Sequence, residues 1–179
     1  MPKLIEKSQT MFDPAQLLEK AKTSKRYLSL LNFGLLRMIP FNKPHAIKIV
    51  EISDKSVKTV FPYKRSNFNH IKGLHACGLA AVSEFTTGIV LLSTLDPKKY
   101  RIIMQKMEMN YHYQGKMDSY AEFSVTDEWL KNEVIDPIAA NESVVVNCEV
   151  KVHDKEGNHL TTGNIYWQIK SWSKVKTKA

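Results

Sequence analysis

Cysteine is scarce in this 179-residue chain: Cys77 and Cys148 are too few for a disulfide scaffold or a four-thiolate zinc site. They leave room for one bridge at most, and a reducing compartment is the simpler expectation. Seven glycines and seven prolines exclude collagen-like and low-complexity chains. No internal repeat of about 20 to 50 residues is present, which excludes solenoids and propellers. Residues 1–16 carry charges throughout and lack the apolar run of a secretory signal, so a cytoplasmic location is expected. Arg37 and Glu84 interrupt the longest apolar stretches, 27–41 and 78–92, short of the roughly 18 residues a membrane span needs. No span is expected.

Several chemistries are missing too. The histidines, His45, His70, His75, His112, His153 and His159, form no His-x-x-x-His pair, and there is no Cys-x-x-Cys, so no metal site is expected. Neither glycine-rich nucleotide loop occurs, nor a Gly-x-Ser-x-Gly elbow, and no cofactor is expected. Basic and aromatic residues interleave at 63–65 and 167–172, which reads as a solvated strand face rather than a nucleic-acid surface.

What is present suits a globular domain: 43% hydrophobic and 25% charged residues supply a core and a solvated surface. The net charge of +8 favours anionic partners, although Lys174, Lys176 and Lys178 sit in an end, 173–179, expected to be frayed. Asp13-Pro14 reads as an N-cap followed by a first-turn proline, and apolar residues at three- and four-residue spacing predict a helix over about 13–39, stopped near Pro40. Alternation predicts a hairpin of 46–52 with 56–62. Residues 73–92, small, apolar and nearly uncharged, predict a buried helix. Strands follow at 101–113, 119–126, 143–153 and 159–172, the last two joined by a turn around Gly157. Helix, two strands, buried helix, four strands is an antiparallel α+β order, and no linker divides the chain into more than one domain.

One acid lies inside the apolar helix. Glu84 shares a helical face with Cys77, Ala80, Ala81, Thr87 and Gly88, and a carboxylate placed there either finds a partner, reaches water or has a chemical use. Upstream, the polar cluster 67–75 leads into the first helical turn, whose backbone N–H groups lack internal acceptors and can bind a polarised carbonyl oxygen. Singly, each residue has an ordinary reading: His75 as a cap or core histidine, Asn69 as a turn former, Cys77 as a small apolar residue.

Together, Asn69-x-x-x-Gly73-x-His75-Ala76-Cys77 with Glu84 nine residues after the histidine resembles the hotdog-fold thioesterases of the phenylacetyl-CoA thioesterase type. Met38-Ile39-Pro40-Phe41, Arg65-x-Asn67 and the Gly157–Gly163 hairpin look like an uncharacterised hotdog branch. The resemblance implies a curved antiparallel sheet wrapped around one long helix. It implies Glu84 as general base or nucleophile, an oxyanion donor in the N–H of Ala76 or Cys77, and His75 and Asn69 as orienting groups. Substrate contacts would come from Gly73 and from Lys64, Arg65 and Lys72, the last three near enough in sequence to hold coenzyme A phosphates. Ala76 and Cys77 stand where those enzymes have two glycines. The implied substrate is an acyl-CoA or acyl-carrier thioester, and the implied assembly a homodimer or dimer of dimers. A pocket is expected at the helix N-terminus, lined by Asn69, His75, Cys77 and the facing subunit's glutamate, with Met107, Met109 and Tyr111 adding depth. A non-catalytic acyl- or lipid-binding module is the alternative.

Overall fold

The computed structural model describes residues 14–175. Two helices open it, α1 (Pro14–Thr23) and α2 (Lys25–Met38), where the sequence predicts one. The break falls at Ser24, whose backbone is extended at φ −134° and ψ 118°. Adjacent Thr and Ser residues favour helices weakly, and the bend lets Leu17 and Ala21 of α1 and Leu31 of α2 all reach the core. The predicted cap, Asp13, lies outside the described residues.

Strands β1 (Lys48–Ile52) and β2 (Ser56–Phe61) form the expected hairpin. Helix α3 (Ala76–Thr94) starts three residues later than predicted, because Gly73, Leu74 and His75 are held in a loop by Asn69 N–H to Gly73 O (2.8 Å) and Leu74 N–H to Gly115 O (2.8 Å). Strand β3 (Tyr100–Tyr111) ends early, since the N–H groups of His112 and Tyr113 both turn to Leu160 O. After β4 (Ser119–Ser124) comes a helical segment, 127–140, with a π-helical middle at Leu130–Ile135, which the sequence reading missed. Strands β5 (Ser143–Asp154) and β6 (His159–Ser171) complete the chain. Their turn is built by the Asp154 carboxylate, which accepts from Glu156 N–H (3.0 Å) and Asn158 N–H (2.9 Å), with Gly157 at φ +88°. At the start of the predicted tail, Trp172 Nε1 donates to Pro97 O (2.9 Å) and Lys174 Nζ to Asn141 O (3.0 Å). The remainder of the predicted tail, 176–179, lies outside the described residues.

The strands form one antiparallel sheet in the order β1-β2-β4-β5-β6-β3, curved around α3. This is the hotdog arrangement. Leu79, Val82, Phe85, Ile89, Val90 and Leu91 of α3 are buried in one core with Val57, Phe61, Ala121, Val150, Ile165 and Ile169 of the sheet. Each such side chain contributes about 1.5–3 kcal/mol by leaving water. By length and composition α3 is apolar enough to cross a membrane, yet 67% of its most apolar window is buried inside this fold. It is a core helix.

Hydroxyls tie that helix to the sheet at two places. Thr86 Oγ1 donates to Val82 O (2.6 Å), so the Thr59 hydroxyl of β2 must be the donor in its 2.7 Å contact with Thr86. Trp167 Nε1 of β6 donates to Thr87 Oγ1 (3.0 Å). Both bonds are buried, where an unmade one costs about 1–3 kcal/mol. At the β1 edge, Asn32 of α2 exchanges two 2.8 Å bonds with the backbone of Ile49.

Candidate active site

The loop before α3 is organised by Asn67, a fully buried amide. Its Nδ2 donates to Pro62 O (2.8 Å) and His45 O (3.0 Å), its Oδ1 accepts from His45 Nδ1 (3.0 Å), and its backbone carbonyl accepts from His75 N–H (2.9 Å). Asn67 thereby fixes both the His45 ring and the entry of the chain into α3. The sequence reading places it in the polar cluster 67–75 and in Arg65-x-Asn67 and gives it no individual role.

His75 is the N-cap of α3: its Nδ1 accepts the N–H of Cys77 at 3.2 Å. Gly78 and Leu79 both donate to His75 O (2.9 and 3.1 Å). Of the first four N–H groups of the helix, only that of Ala76 has no acceptor among the described residues. It lies at the positive end of a 19-residue helix and is the better of the two oxyanion candidates. The phenol of Tyr111 donates to Ala76 O (3.0 Å), and burial, with a smaller effect of Cys77, raises its pKa above the ordinary value.

A cavity of about 290 Å³ lies beside this turn. Phe41, His45, Phe61, Asn67 and Phe68 line it from outside the helix, and His75, Cys77 and Gly78 from within. Gly78 is required there: a β-carbon on it would sit 2.1 Å from Cζ of the buried Phe61 ring.

His75 and Cys77 thus meet at the expected place, but Asn69 does not line the cavity. Its carboxamide oxygen accepts from Ile71 N–H (3.1 Å) and Gly73 N–H (2.9 Å), which folds the turn. Gly73 is buried, and a β-carbon on it would lie 2.8 Å from the Gln114 side chain, so its smallness serves packing. Lys64, Arg65 and Lys72 belong to the same loop, and none lines the cavity or pairs with an acid among the described residues. Met107, Met109 and Tyr111 do not line it either; the Met109 sulfur lies over Gly163 of β6.

Glu84 sits two turns further along α3. The predicted face divides: Ala80, Thr87 and Gly88 are buried against the sheet, whereas Cys77 is exposed and Ala81 and Glu84 are half-buried, forming an open stripe. The Glu84 carboxylate makes no hydrogen bond or ion pair among the described residues, and burial raises its pKa above the usual carboxylate range. Eight residues of helix separate it from Ala76, about 12 Å, too far for both to act on one carbonyl within a single chain.

Both cysteines are free, Cys77 exposed and Cys148 buried in β5. Among the described residues no three His, Cys, Asp or Glu side chains are placed to hold a metal ion. The His159 ring stacks on His153 with centroids 4.9 Å apart and meets His112 at 4.5 Å with the planes tilted by 42°.

The model of a protein family described as a domain of unknown function, DUF4442, matches residues 28–169. No curated protein matches the chain. Among solved structures, a Pseudomonas aeruginosa protein of unknown function, PA5026, called a probable thioesterase, superposes with a TM-score of 0.73 at 19% identity, over 80% of this chain and 95% of that one. The Haemophilus influenzae thioesterase HI1161 gives 0.62 at 11% identity, over 80% and 90% of the two chains. A variant of the Staphylococcus aureus thioesterase SAV0944 gives 0.59 at 14%, over 73% and 98%. At such identities these likenesses establish the fold alone.

Proposed function

The chain belongs to the DUF4442 family and has the hotdog fold, and from that premise we propose that it is an acyl-thioester hydrolase using Glu84 as general base. The observation that carries this reading is the pairing, on one open helix face, of an unpartnered, desolvated carboxylate with a free N–H at the helix N-terminus. Because the two are about 12 Å apart in one chain, a second copy must bring Glu84 of the partner subunit to the Ala76 N–H. The outer edge of β3, unpaired among the described residues, supports a homodimer or a dimer of dimers.

In the reaction, Glu84 of the partner subunit takes a proton from water as the water oxygen bonds to the thioester carbonyl carbon. The carbonyl oxygen becomes an oxyanion and accepts the Ala76 N–H. Collapse breaks the C–S bond, and the leaving thiolate takes the proton back from the carboxyl. The apolar walls of Phe41, Phe61 and Phe68 suit a fatty or aromatic acyl group. Lys64, Arg65 and Lys72 suit the phosphates of coenzyme A, and an acyl carrier would present similar charge. We place the single domain, 1–179, in the cytoplasm.

The test is thiol release from a panel of acyl-CoA esters by wild type and Glu84→Gln. Loss of the base is expected to lower the rate by about 10²–10⁴; hydrolysis by Glu84→Gln at the wild-type rate would refute the assignment. A second reading rests on Ala76 and Cys77, both exposed, which carry β-carbons where the resembled thioesterases have glycines, and on the capped Cys77 N–H. Wild type that binds acyl-CoA without turnover would favour this non-catalytic acyl-binding module, and activity gained by Ala76→Gly/Cys77→Gly would trace the loss to those two β-carbons.

A further inference from the structure

Helix α2 has a second apolar face that the fold does not use. Its inner face, with Leu28, Leu31, Asn32 and Leu35, packs on the core and on β1. Residues 26, 30, 33 and 37 recur at helical spacing on the opposite side, so that Leu30 and Phe33 lie between Arg26 and Arg37. Leu30 is 38% exposed and Phe33 55%, and Met38 at the helix end and Phe41 beyond it are 77% and 62% exposed. All four remain open to solvent among the described residues.

The segment that carries this face has charge of one sign. From Lys20 to Val50 the chain carries seven lysines and arginines and no aspartate or glutamate. Lys22 pairs with Glu19 and Asp54, but Lys20, Lys25, Arg26, Arg37, Lys43 and Lys48 form no ion pair among the described residues. The Arg37 guanidinium lies 4.4 Å from the Phe33 ring centroid, holding a cation beside the most apolar part of the ridge.

We infer that the outward face of α2, continued through Met38 and Phe41, docks the protein on an anionic lipid surface. An exposed apolar ridge of Leu and aromatic residues flanked by cations is what an interfacial helix presents to headgroups and upper acyl chains. A second copy fits poorly, because a twofold contact would set this acid-free surface against itself. Phe41 belongs both to the ridge and to the wall of the 290 Å³ cavity, so docking brings the cavity to the bilayer, where long-chain acyl groups partition. The inference does not depend on Glu84 chemistry.

The test is co-sedimentation of the full chain, without substrate, with phosphatidylcholine vesicles and with vesicles containing phosphatidylglycerol. Wild type is expected to bind the anionic vesicles at least tenfold more strongly, with binding falling as salt is raised. Leu30→Ser/Phe33→Ser and Arg26→Glu/Arg37→Glu are each expected to lose tenfold or more while keeping the wild-type melting curve, since these side chains face solvent. Absence of wild-type binding, equal binding to neutral vesicles, or variants that bind like wild type would overturn the inference. So would light scattering showing that Leu30→Ser/Phe33→Ser disrupts self-association. The lipid and salt comparisons need only wild-type protein, so a variant that misfolds does not decide the outcome.

Discussion

Replacing Gly78 with alanine asks whether the first turn of α3 is packed as tightly as the structure indicates. The new β-carbon would lie 2.1 Å from Cζ and 2.6 Å from Cε1 of Phe61, whose ring is fully buried and forms one wall of the cavity. To restore ordinary contact the ring must retreat by more than 1 Å, into the cavity or into β4 through the Phe61–Ser119 pairing. Overpacking of this kind costs about 1–3 kcal/mol. Alanine returns at most about 1 kcal/mol of helix preference. A 2.1 Å approach puts the cost at the upper end, about 2–3 kcal/mol, so the net loss is about 1–2 kcal/mol, and for a chain of this size that lowers Tm by roughly 2–8 °C. Thermal melts followed by circular dichroism measure it, and a double-mutant cycle with Phe61→Leu locates it. In the Phe61→Leu background, Gly78→Ala is expected to cost nothing or to stabilise slightly. A Gly78→Ala protein that melts at or above the wild-type temperature in both backgrounds would refute the reasoning.

Glu84 has a second signature, in stability. Its native pKa is raised by burial, so the folded protein holds that proton more tightly than the unfolded chain. Its favourable contribution is therefore complete below the ordinary carboxylate range and is lost as pH rises through the raised native value. Glu84→Gln should gain stability relative to wild type between pH 4 and pH 7, and a gap that stays constant in melts at the two pH values would contradict the desolvation. The cysteines differ in the same way: burial pushes the Cys148 thiol up to about 12, while Cys77 is exposed. A thiol-reactive disulfide reagent should titrate one thiol per native chain and two in denaturant; two fast native thiols would show that β5 opens readily.

The elements carried by strong periodicity were legible in the sequence. The run from 73 to 92 is apolar on nearly every face, and such a helix has to be enclosed, which forces the strands around it. The segment 127–140 escaped because Leu130, Val134 and Ile138, though four residues apart, make a short signal interrupted by Pro137, and its turns pass from α to π and back. At the site, His75, Cys77 and Glu84 stood out through an unusual grouping on one helix. Asn67 did not, because its importance lies in reaching Pro62 and His45, contacts that exist only after the loop closes. The same applies to Asn69, where a turn former and an orienting group share one sequence signature, and only the bonds to Ile71 and Gly73 decide between them.

The buried hydroxyl contacts of α3 act as indexing pins. An apolar helix inside an apolar sheet is free to rotate about its axis or slide along it at little cost, since one methyl replaces another. Thr86 and Thr87 remove that freedom: successive residues point about 100° apart, and each engages a different strand, β2 through Thr59 and β6 through Trp167. Two fixed directions from one axis define both angle and depth. The aim of Glu84, on the neighbouring open stripe one turn before Thr87, is thus set by buried polar atoms behind that stripe. Loosening either pin should blur the direction of the carboxylate before it weakens the fold.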